Sequence, residues 1–445
     1  IGGAEWDQHL GKADDLFGNA STWALMLTGK VIADVDEDNA SASSIAGKMV
    51  SRLGEPVVRR AMLHAMKIMG QQFVMGRTIE EALARAAEAE KTGYRHSYDM
   101  LGEGARTAED AERYFAAYES AIHAIGKAAG GRGVVLSPGI SIKLSALHPR
   151  YEYAQAKTCV PALSKKLLTL SQLCARYDIG LTVDAEDAHP SLKGWEGFGL
   201  AMQAYSKRCT RLIDHLAALA DKKGRRMMVR LVKGAYWDSE VKYAQVYGLP
   251  GYPVFTRKAA TDVSYLANAS KLMARRDVFY PMFATHNAYT VAALMELAGN
   301  DQTGFEFQRL HGMGEPLYHQ ITGTELGKYP CRIYAPVGSH QDLLPYLVRR
   351  LLENGADTNF VNRLQNDKVP IDEMLVDPVD YIQKLSDKPH PKIPLPADLY
   401  GQERKNSAGI EFANGHVSAP LIRMVEKAAV SFTPGAVKPA TKEDI

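Results

Sequence analysis

The chain lacks most of the features that would tie it to a disulfide frame, a metal centre, a membrane or a nucleotide loop. Its four cysteines (Cys159, Cys174, Cys209, Cys331) show no CxxC or Cys/His spacing, which argues against a disulfide scaffold and for a reducing, cytoplasmic setting. The thirteen histidines form neither HxH nor HExxH, so no histidine-built metal site is expected. No apolar run is long enough to span a bilayer, and no signal peptide opens the chain. No GxGxxG follows a strand and no GxxxxGK[ST] occurs; Gly312-Met-Gly314 breaks the first pattern at its sixth position. A bound dinucleotide is therefore not expected on a Rossmann unit. The net charge of +2 gives no pull toward nucleic acid.

What is present is ordinary globular composition, 46 % apolar and 23 % charged, with a strong rhythm. Eight short apolar runs recur: 95–100, 139–144, 180–186, 199–205, 226–234, 279–286, 305–310 and 331–338. Helical patterns separate most of them. Strand–helix alternation predicts a parallel sheet, and eight units predict a distorted (βα)8 TIM-like barrel with its site at the C-terminal strand ends. Those ends carry Asp99, Lys143, Asp184, Glu186, Gln203, Arg230, Lys233, His286, Gln308 and Tyr334.

Three divisions are expected. Residues 1–73 read as a helical arm and α-domain, with apolar helical spacing over 14–28 and 56–73 and an acidic, Ser/Ala-rich linker over 33–44. Residues 74–386 read as the barrel. Residues 387–445 read as an extended connector (Lys388–Pro396) and a truncated C-terminal segment. Thr78 with Glu81, and Thr107 with Asp110, are capping signatures; Gly93 ends the first helix and the second runs to about Ala129. The third unit is irregular: only residues 187–195 separate its strand from the next, too few for a helix. A stretch is expected to be missing there. The chain opens on Ile1 without methionine and reads as a piece of a longer protein.

The densest chemistry lies in Arg230–Asp238 (RLVKGAYWD). Arg230, Lys233, Tyr236 and Trp237 put two cations and two aromatic faces at the barrel mouth, with Gly234 easing the turn. That set suits a planar anionic ligand such as a flavin; its alternative is solvated cations over core aromatics. Tyr346–Glu353 (YLVRRLLE) places Arg349 and Arg350 about 100° apart on a helix, with Glu353 in reach of Arg349. Paired guanidinium forks match a carboxylate; an exposed Arg/Glu pair is the alternative. Lys143 is either a Schiff-base nucleophile or a simple partner of Asp184. Asp184 and Glu186 share a strand face, as metal ligands or as hydrogen-bond acceptors. His286 is a ligand, a base or a satisfied polar contact.

SIKLSALHPRY (141–151), DAED (184–187), RLVKGAYWDSE (230–240), FATHNA (283–288), LHGMGEPLY (310–318), RIYAPVG (332–338) and YLVRRLLENGA (346–356) stand in this order. Together they resemble the proline dehydrogenase family, above all that domain of bacterial proline utilization A. The resemblance runs from about Asp14 to about Gly409. It implies FAD held at the strand ends, oxidation of L-proline to pyrroline-5-carboxylate by hydride transfer to flavin N5, and electrons passed to a membrane quinone with peripheral contact at the inner membrane. It implies catalytic roles for Lys143, Asp184, Arg230 and Tyr334. Proline would meet Lys143, Asp99, Glu103, Tyr236, Leu310, Tyr334, Arg349, Arg350 and Glu353, with Glu103 gating through Arg349. FAD would meet Asp184, Gln203, Arg230, Val232, Lys233, Gly234, Ala235, Trp237, Thr256, Arg257, Lys258, Thr285, His286, Asn287, Gln308 and Glu353. No metal is implied. Proline utilization A continues into an aldehyde dehydrogenase domain; this chain stops before it, shows no DNA-binding domain at its start, and is expected to carry out the first oxidation alone. Two rival readings remain open from the residues: a barrel lyase or metal-dependent isomerase using Lys143, Asp184 and Glu186, and a non-catalytic binding barrel.

Overall fold

The computed structural model describes residues 70, 72–184, 194–324, 327–339, 346–350, 375–412 and 414–428. Within them lies a closed barrel of eight parallel strands. In chain order these are β1 (Tyr94–Met100), β2 (Gly139–Ile142), β3 (Leu181–Val183), β4 (Phe198–Gln203), β5 (Met227–Val232), β6 (Phe279–Ala284), β7 (Glu306–Leu310) and β8 (Cys331–Val337). Each strand pairs with its chain neighbours, and β1 closes the ring on β8 in a register running from Tyr94 opposite Cys331 to Met100 opposite Val337. All eight runs expected from sequence are strands, each within a few residues of its expected bounds. The irregular third unit closes too: β3 and β4 pair directly, with Leu181 opposite Phe198, while residues 185–193 lie outside the described part.

The helices follow from amphipathic spacing and their caps. Helix α1 (Ile79–Lys91) starts at Thr78, whose side chain accepts from the Glu81 amide. The expected reciprocal bond is absent, because Glu81 accepts from the Arg77 N–H instead. Helix α2 (Ala108–Ala129) has the full capping box of Thr107 and Asp110 and stops at left-handed Gly130. Its buried Tyr118, Ala121, Ile122, Ile125 and Ala129 form the stripe a 3.6-residue period gives. Gly126 belongs to that stripe because a Cβ there would sit 2.1 Å from the Tyr177 ring. Helices α3 (Ala156–Arg176), α4 (Cys209–Lys223), α5 (Trp237–Val246), α6 (Lys258–Ala274), α7 (Ala288–Ala298) and α8 (Glu315–Ile321) complete the layer. Each fully buried Ile, Leu, Val or Phe between helices and strands contributes about 1.5–3 kcal/mol.

The strand period of two sorts the side chains. On β1, Arg95, Ser97 and Asp99 take one side and buried His96 and Tyr98 the other. The same alternation sends Ser141 and Lys143, Met228 and Arg230, Glu306 and Gln308, and Arg332 and Tyr334 into the barrel, where they meet one another across it. The connector is laced to α5, α6 and the loop between them. Tyr252 donates to the Pro394 carbonyl at 2.7 Å, the His390 amide donates to Thr256, and Arg257 donates to the carbonyls of Asp387, Lys388 and Pro389. Beyond it, helix α10 (Gly415–Ala428) follows α9 (Pro378–Lys384). Helix α10 was not expected: Pro420 lies inside its pattern and hides the period.

Candidate active site at the barrel mouth

Arg230 is the hub. It is 4 % exposed and its planar fork meets acceptors from three other strands and from the residue just past β3. Nε donates to Gln308 Oε1 at 2.7 Å, Nη1 to Asp184, and Nη2 to Ser141 Oγ at 2.9 Å and Ser97 Oγ at 3.4 Å. The Tyr334 ring lies 5.1 Å from the guanidinium carbon, and Tyr334 Oη donates to Asp184 Oδ2 at 2.7 Å. Both Asp184 oxygens are thus engaged by protein donors. Burial, with Asp184 and Asp99 adding to it, pushes the Tyr334 phenol far up, so it acts as a hydrogen-bond donor.

Lys143 sits beside this hub but does not pair with Asp184. It donates to Asp99 Oδ1 at 2.5 Å, which corrects the expected Lys143–Asp184 pair. The cause is the barrel's stagger: Asp99 lies opposite Ser141 on the neighbouring strand, within reach of the lysine two residues on. The Lys143 amide donates to Tyr118 Oη at 3.1 Å, tying the strand end to α2. Burial alone would pull the Lys143 pKa down, but Asp99, Tyr118 and Asp184 outweigh it and raise it. The ammonium stays protonated.

The third group comes from residues 346–350, a helical turn. Arg349 forms a two-pronged pair with Glu103 at 2.7 and 2.9 Å, and its guanidinium carbon lies 5.3 Å from the Tyr236 ring centroid. Burial would raise the Glu103 pKa, but the Arg349 hydrogen bonds and charge lower it below the usual carboxylate value. Tyr334, bonded to Asp184, packs against the cluster that holds Tyr346 and Leu347, which brings the arginine helix and the Arg230–Asp184 hub together at the barrel mouth. Arg350 is 6 % exposed and stacks on Tyr346, 5.2 Å from its ring centroid. Leu310 and Tyr334 pack against the apolar cluster that includes Tyr346, Leu347, Leu101 and Phe73.

The remaining expected cofactor residues form an arc over the ends of β4 to β7. Gln203 and Val232 end paired strands β4 and β5. Lys233 reaches Asp262 at 2.5 Å and Thr290 Oγ1 at 3.1 Å. Gly234 has φ 143°, and a Cβ there would strike the Tyr205 ring at 2.5 Å; with Ala235 and Tyr236 it is exposed. Trp237 donates to the Phe255 carbonyl. Thr285 Oγ1 accepts from the Asn287 amide, and Asn287 caps α7. His286 Nε2 accepts from the Leu310 amide at 3.0 Å, the satisfied contact that sequence left as one alternative. Thr256 and Arg257 hold the connector as described, and Lys258 opens α6 beside Asp262. Glu353 and Glu186 lie outside the described residues; within them it is Glu103 that orients Arg349.

Sequence reading missed four supporting residues. Ser97 and Ser141 join each other at 3.0 Å as well as Arg230. Glu306 and Arg332 pair at 2.6 Å beneath them. Each stands two residues before a residue that was singled out (Asp99, Lys143, Gln308, Tyr334), so the period-two rule offered the signal. Among the described residues, no group of three or more His, Cys, Asp or Glu is arranged to hold a metal ion, and no helix is long and apolar enough to cross a membrane.

Comparison with known proteins places this geometry. Residues 82–363 match the family model described as Proline dehydrogenase, and residues 1–73 match that described as DNA-binding domain of Proline dehydrogenase. The second match revises the expectation that no such module precedes the barrel. The chain is 53 % identical over 447 residues to the Bifunctional protein PutA of Salmonella typhimurium, covering 95 % of this chain and 34 % of that protein. It is 25 % identical over 314 residues to Proline dehydrogenase 1 of Bacillus subtilis, covering 68 % of this chain and 92 % of that protein. A crystal structure of proline utilization A from Bradyrhizobium japonicum superposes with a TM-score of 0.75 at 48 % identity, covering 95 % of this chain and 45 % of that one. The chain thus spans about a third of the length of the curated bifunctional relatives it matches. On the family match and these identities, the chain belongs to the proline dehydrogenase family.

Proposed function

We propose that this chain oxidises L-proline to pyrroline-5-carboxylate with FAD at the barrel mouth, passing the electrons to a membrane quinone as the first step of proline catabolism to glutamate. The observation that carries this reading is the gathering at the barrel mouth of the Arg349–Tyr236 contact, the Lys143–Asp99 pair and the Arg230–Asp184–Tyr334 hub, with Tyr334 packed against the arginine helix.

The residues present fit FAD. Gln203 Oε1 is buried with no hydrogen-bond partner, an acceptor awaiting a donor. Gly234 and Ala235 leave exposed backbone at the end of β5. Helix α6 begins without a side-chain cap and with Arg257 and Lys258 at its start, a setting that favours a pyrophosphate. Arg230, Gln203, Gly234, Trp237, Lys258 and His286 are the residues that would hold the cofactor. When bound, FAD supplies the two-electron acceptor for the hydride leaving the carbon beside the proline nitrogen.

The chain's own groups do the rest. Arg349 and Arg350 grip the carboxylate, the one strong handle on so small a substrate. Leu310 and Tyr334 give the ring an apolar wall. Lys143, held as an ammonium by Asp99, contributes positive charge that disfavours a second cation nearby and so favours the neutral proline amine. Glu103 holds Arg349 ready and shields the mouth from water. The rival lyase reading is weakened, because Lys143 is held in an ion pair with buried Asp99 instead of standing free to attack a carbonyl.

The bifunctional relatives support a longer protein in which an aldehyde dehydrogenase region consumes the product. We further propose a division at residues 73/74 and 386/387, a cytoplasmic setting and peripheral contact with the inner membrane; the family-model match over residues 1–73 accords with the first boundary. The deciding measurement is a visible spectrum of the purified protein before and after adding L-proline. Yellow protein that bleaches supports the proposal; folded protein that stays colourless when supplied with FAD sinks it.

A further inference from the structure

A line of hydrogen bonds runs down the barrel axis from Arg230 to its floor. Arg230 Nε donates to Gln308 Oε1 at 2.7 Å, and Gln308 Nε2 donates to Glu306 Oε1 at 2.8 Å. Glu306 in turn accepts from Arg332 at 2.6 and 3.1 Å and lies 3.5 Å from Arg95. Glu306 is fully buried, and Gln308 and Arg332 are 2 % and 4 % exposed. Their burial keeps bulk solvent away from these groups.

The chemistry of the three links gives the line a sense. A carboxylate only accepts, a guanidinium only donates, and an amide does one at each end. With Glu306 ionised, the Gln308 NH2 must face the floor, and its oxygen must face Arg230. The reversed amide would set two donors against Arg230 and two acceptors against each other. Burial would raise the Glu306 pKa, but Arg332 outweighs it and keeps the carboxylate charged. We propose that Glu306 is a positioning residue for the reaction: it fixes the sense of the Gln308 amide and thereby the plane of the Arg230 guanidinium at the mouth. Glu306 itself touches neither substrate nor cofactor. This rests on the reading that Arg230 serves flavin-dependent proline oxidation.

The test compares Glu306→Gln, Gln308→Glu and the double variant Glu306→Gln/Gln308→Glu. In the double variant the carboxylate at position 308 accepts from Arg230 and from the amide NH2 at position 306, and the amide oxygen at 306 accepts from Arg332 Nη2; only Arg332 Nε, which shares Glu306 Oε1 with Gln308 in the parent, loses its acceptor. Glu306→Gln is expected to lower kcat with proline about ten-fold while proline KM and flavin content stay within about two-fold. The double variant, which restores the Arg230 and amide–carboxylate links, is expected to recover a clear part of that loss. A structural role alone predicts instead that kcat tracks melting temperature across the set and that the double variant is no better than Glu306→Gln; either result overturns the proposal. A ligand-free readout separates this from the function itself. In protein labelled with [15N]glutamine, the Gln308 side-chain NH2, assigned by its loss in Gln308→Glu, is expected to resist solvent exchange and to lose that protection in Glu306→Gln. Unchanged protection overturns the proposal even if the protein proves colourless; a colourless parent with the expected protection change refutes the function and leaves the relay standing.

Discussion

The floor and the mouth of this barrel both bury arginine, but they hold it in opposite ways. At the floor, Arg332 spends its fork on fixed partners: the backbone carbonyls of Val135, Ser137 and His96 and the fully buried Glu306. At the mouth, among the described residues, Arg349 is held by one side chain, Glu103, which is 28 % exposed, and it leans on the exposed Tyr236. Backbone acceptors cannot leave without unfolding the strand ends. A side-chain acceptor can rotate away at small cost and be replaced by another carboxylate. The lesson is a division of labour: charge at the N-terminal end of the strands holds the fold, and charge at the C-terminal end waits for a ligand.

The largest expected effect breaks the floor. Arg332→Met removes the main partner of Glu306 and the donor to three carbonyls. It should cost about 3–5 kcal/mol, the usual result of leaving a buried charge unpaired, read by urea unfolding of purified protein. A loss below about 1 kcal/mol would mean that the floor is no keystone.

At the mouth the loss should fall on binding. Arg350→Met should raise proline KM roughly ten- to hundred-fold, the worth of about 1.5–3 kcal/mol for a charged hydrogen bond, with flavin content unchanged. Loss of flavin at unchanged proline affinity would refute its assignment. Arg230→Met should do the reverse and slow flavin reduction before it weakens proline binding, because Arg230 is tied to Asp184, Gln308 and the serines.

A third test sharpens the comparison through pH. His311 is held down to about 4 from 6.5, mainly by burial and then by Arg85 and Arg309; His96 is lowered for the same leading reason. A histidine depressed in the fold takes its proton first in the unfolded chain. Stability should therefore fall as pH drops from about 6.5 toward 4, and His311→Gln should flatten that limb in thermal melts across the range. A limb unchanged by the substitution would assign it to other groups.

The smallest effect belongs to the mouth's own ion pair. Glu103→Gln breaks a partly exposed pair, so stability should change by less than about 1 kcal/mol. If it changes as much as Arg332→Met does, the contrast between the two ends fails.

Much of this was legible early. Eight apolar runs at regular spacing announced the strands, and the residues that end them are those gathered at the mouth. The errors are instructive. Asp184, one of the two alternatives for Lys143, sits on an adjacent strand at a similar height, but barrel stagger brings Asp99 closer. The Arg349–Glu103 pair spans 246 positions, so helix spacing, which shows only Glu353, cannot reveal it; it came from the family resemblance, and the pair is present in the structure. Glu306 and Arg332 passed unnoticed because the eye goes to strand ends, not to the turn of the period beneath them.

The sequence by itself determined the strand–helix alternation, the strand bounds and the face each residue takes, because these follow from local periods of two and 3.6. Which donor meets which acceptor was decided only by tertiary structure. Closing a staggered ring sets contacts between residues far apart in the chain, and no local pattern encodes the heights at which eight separate strands come to rest.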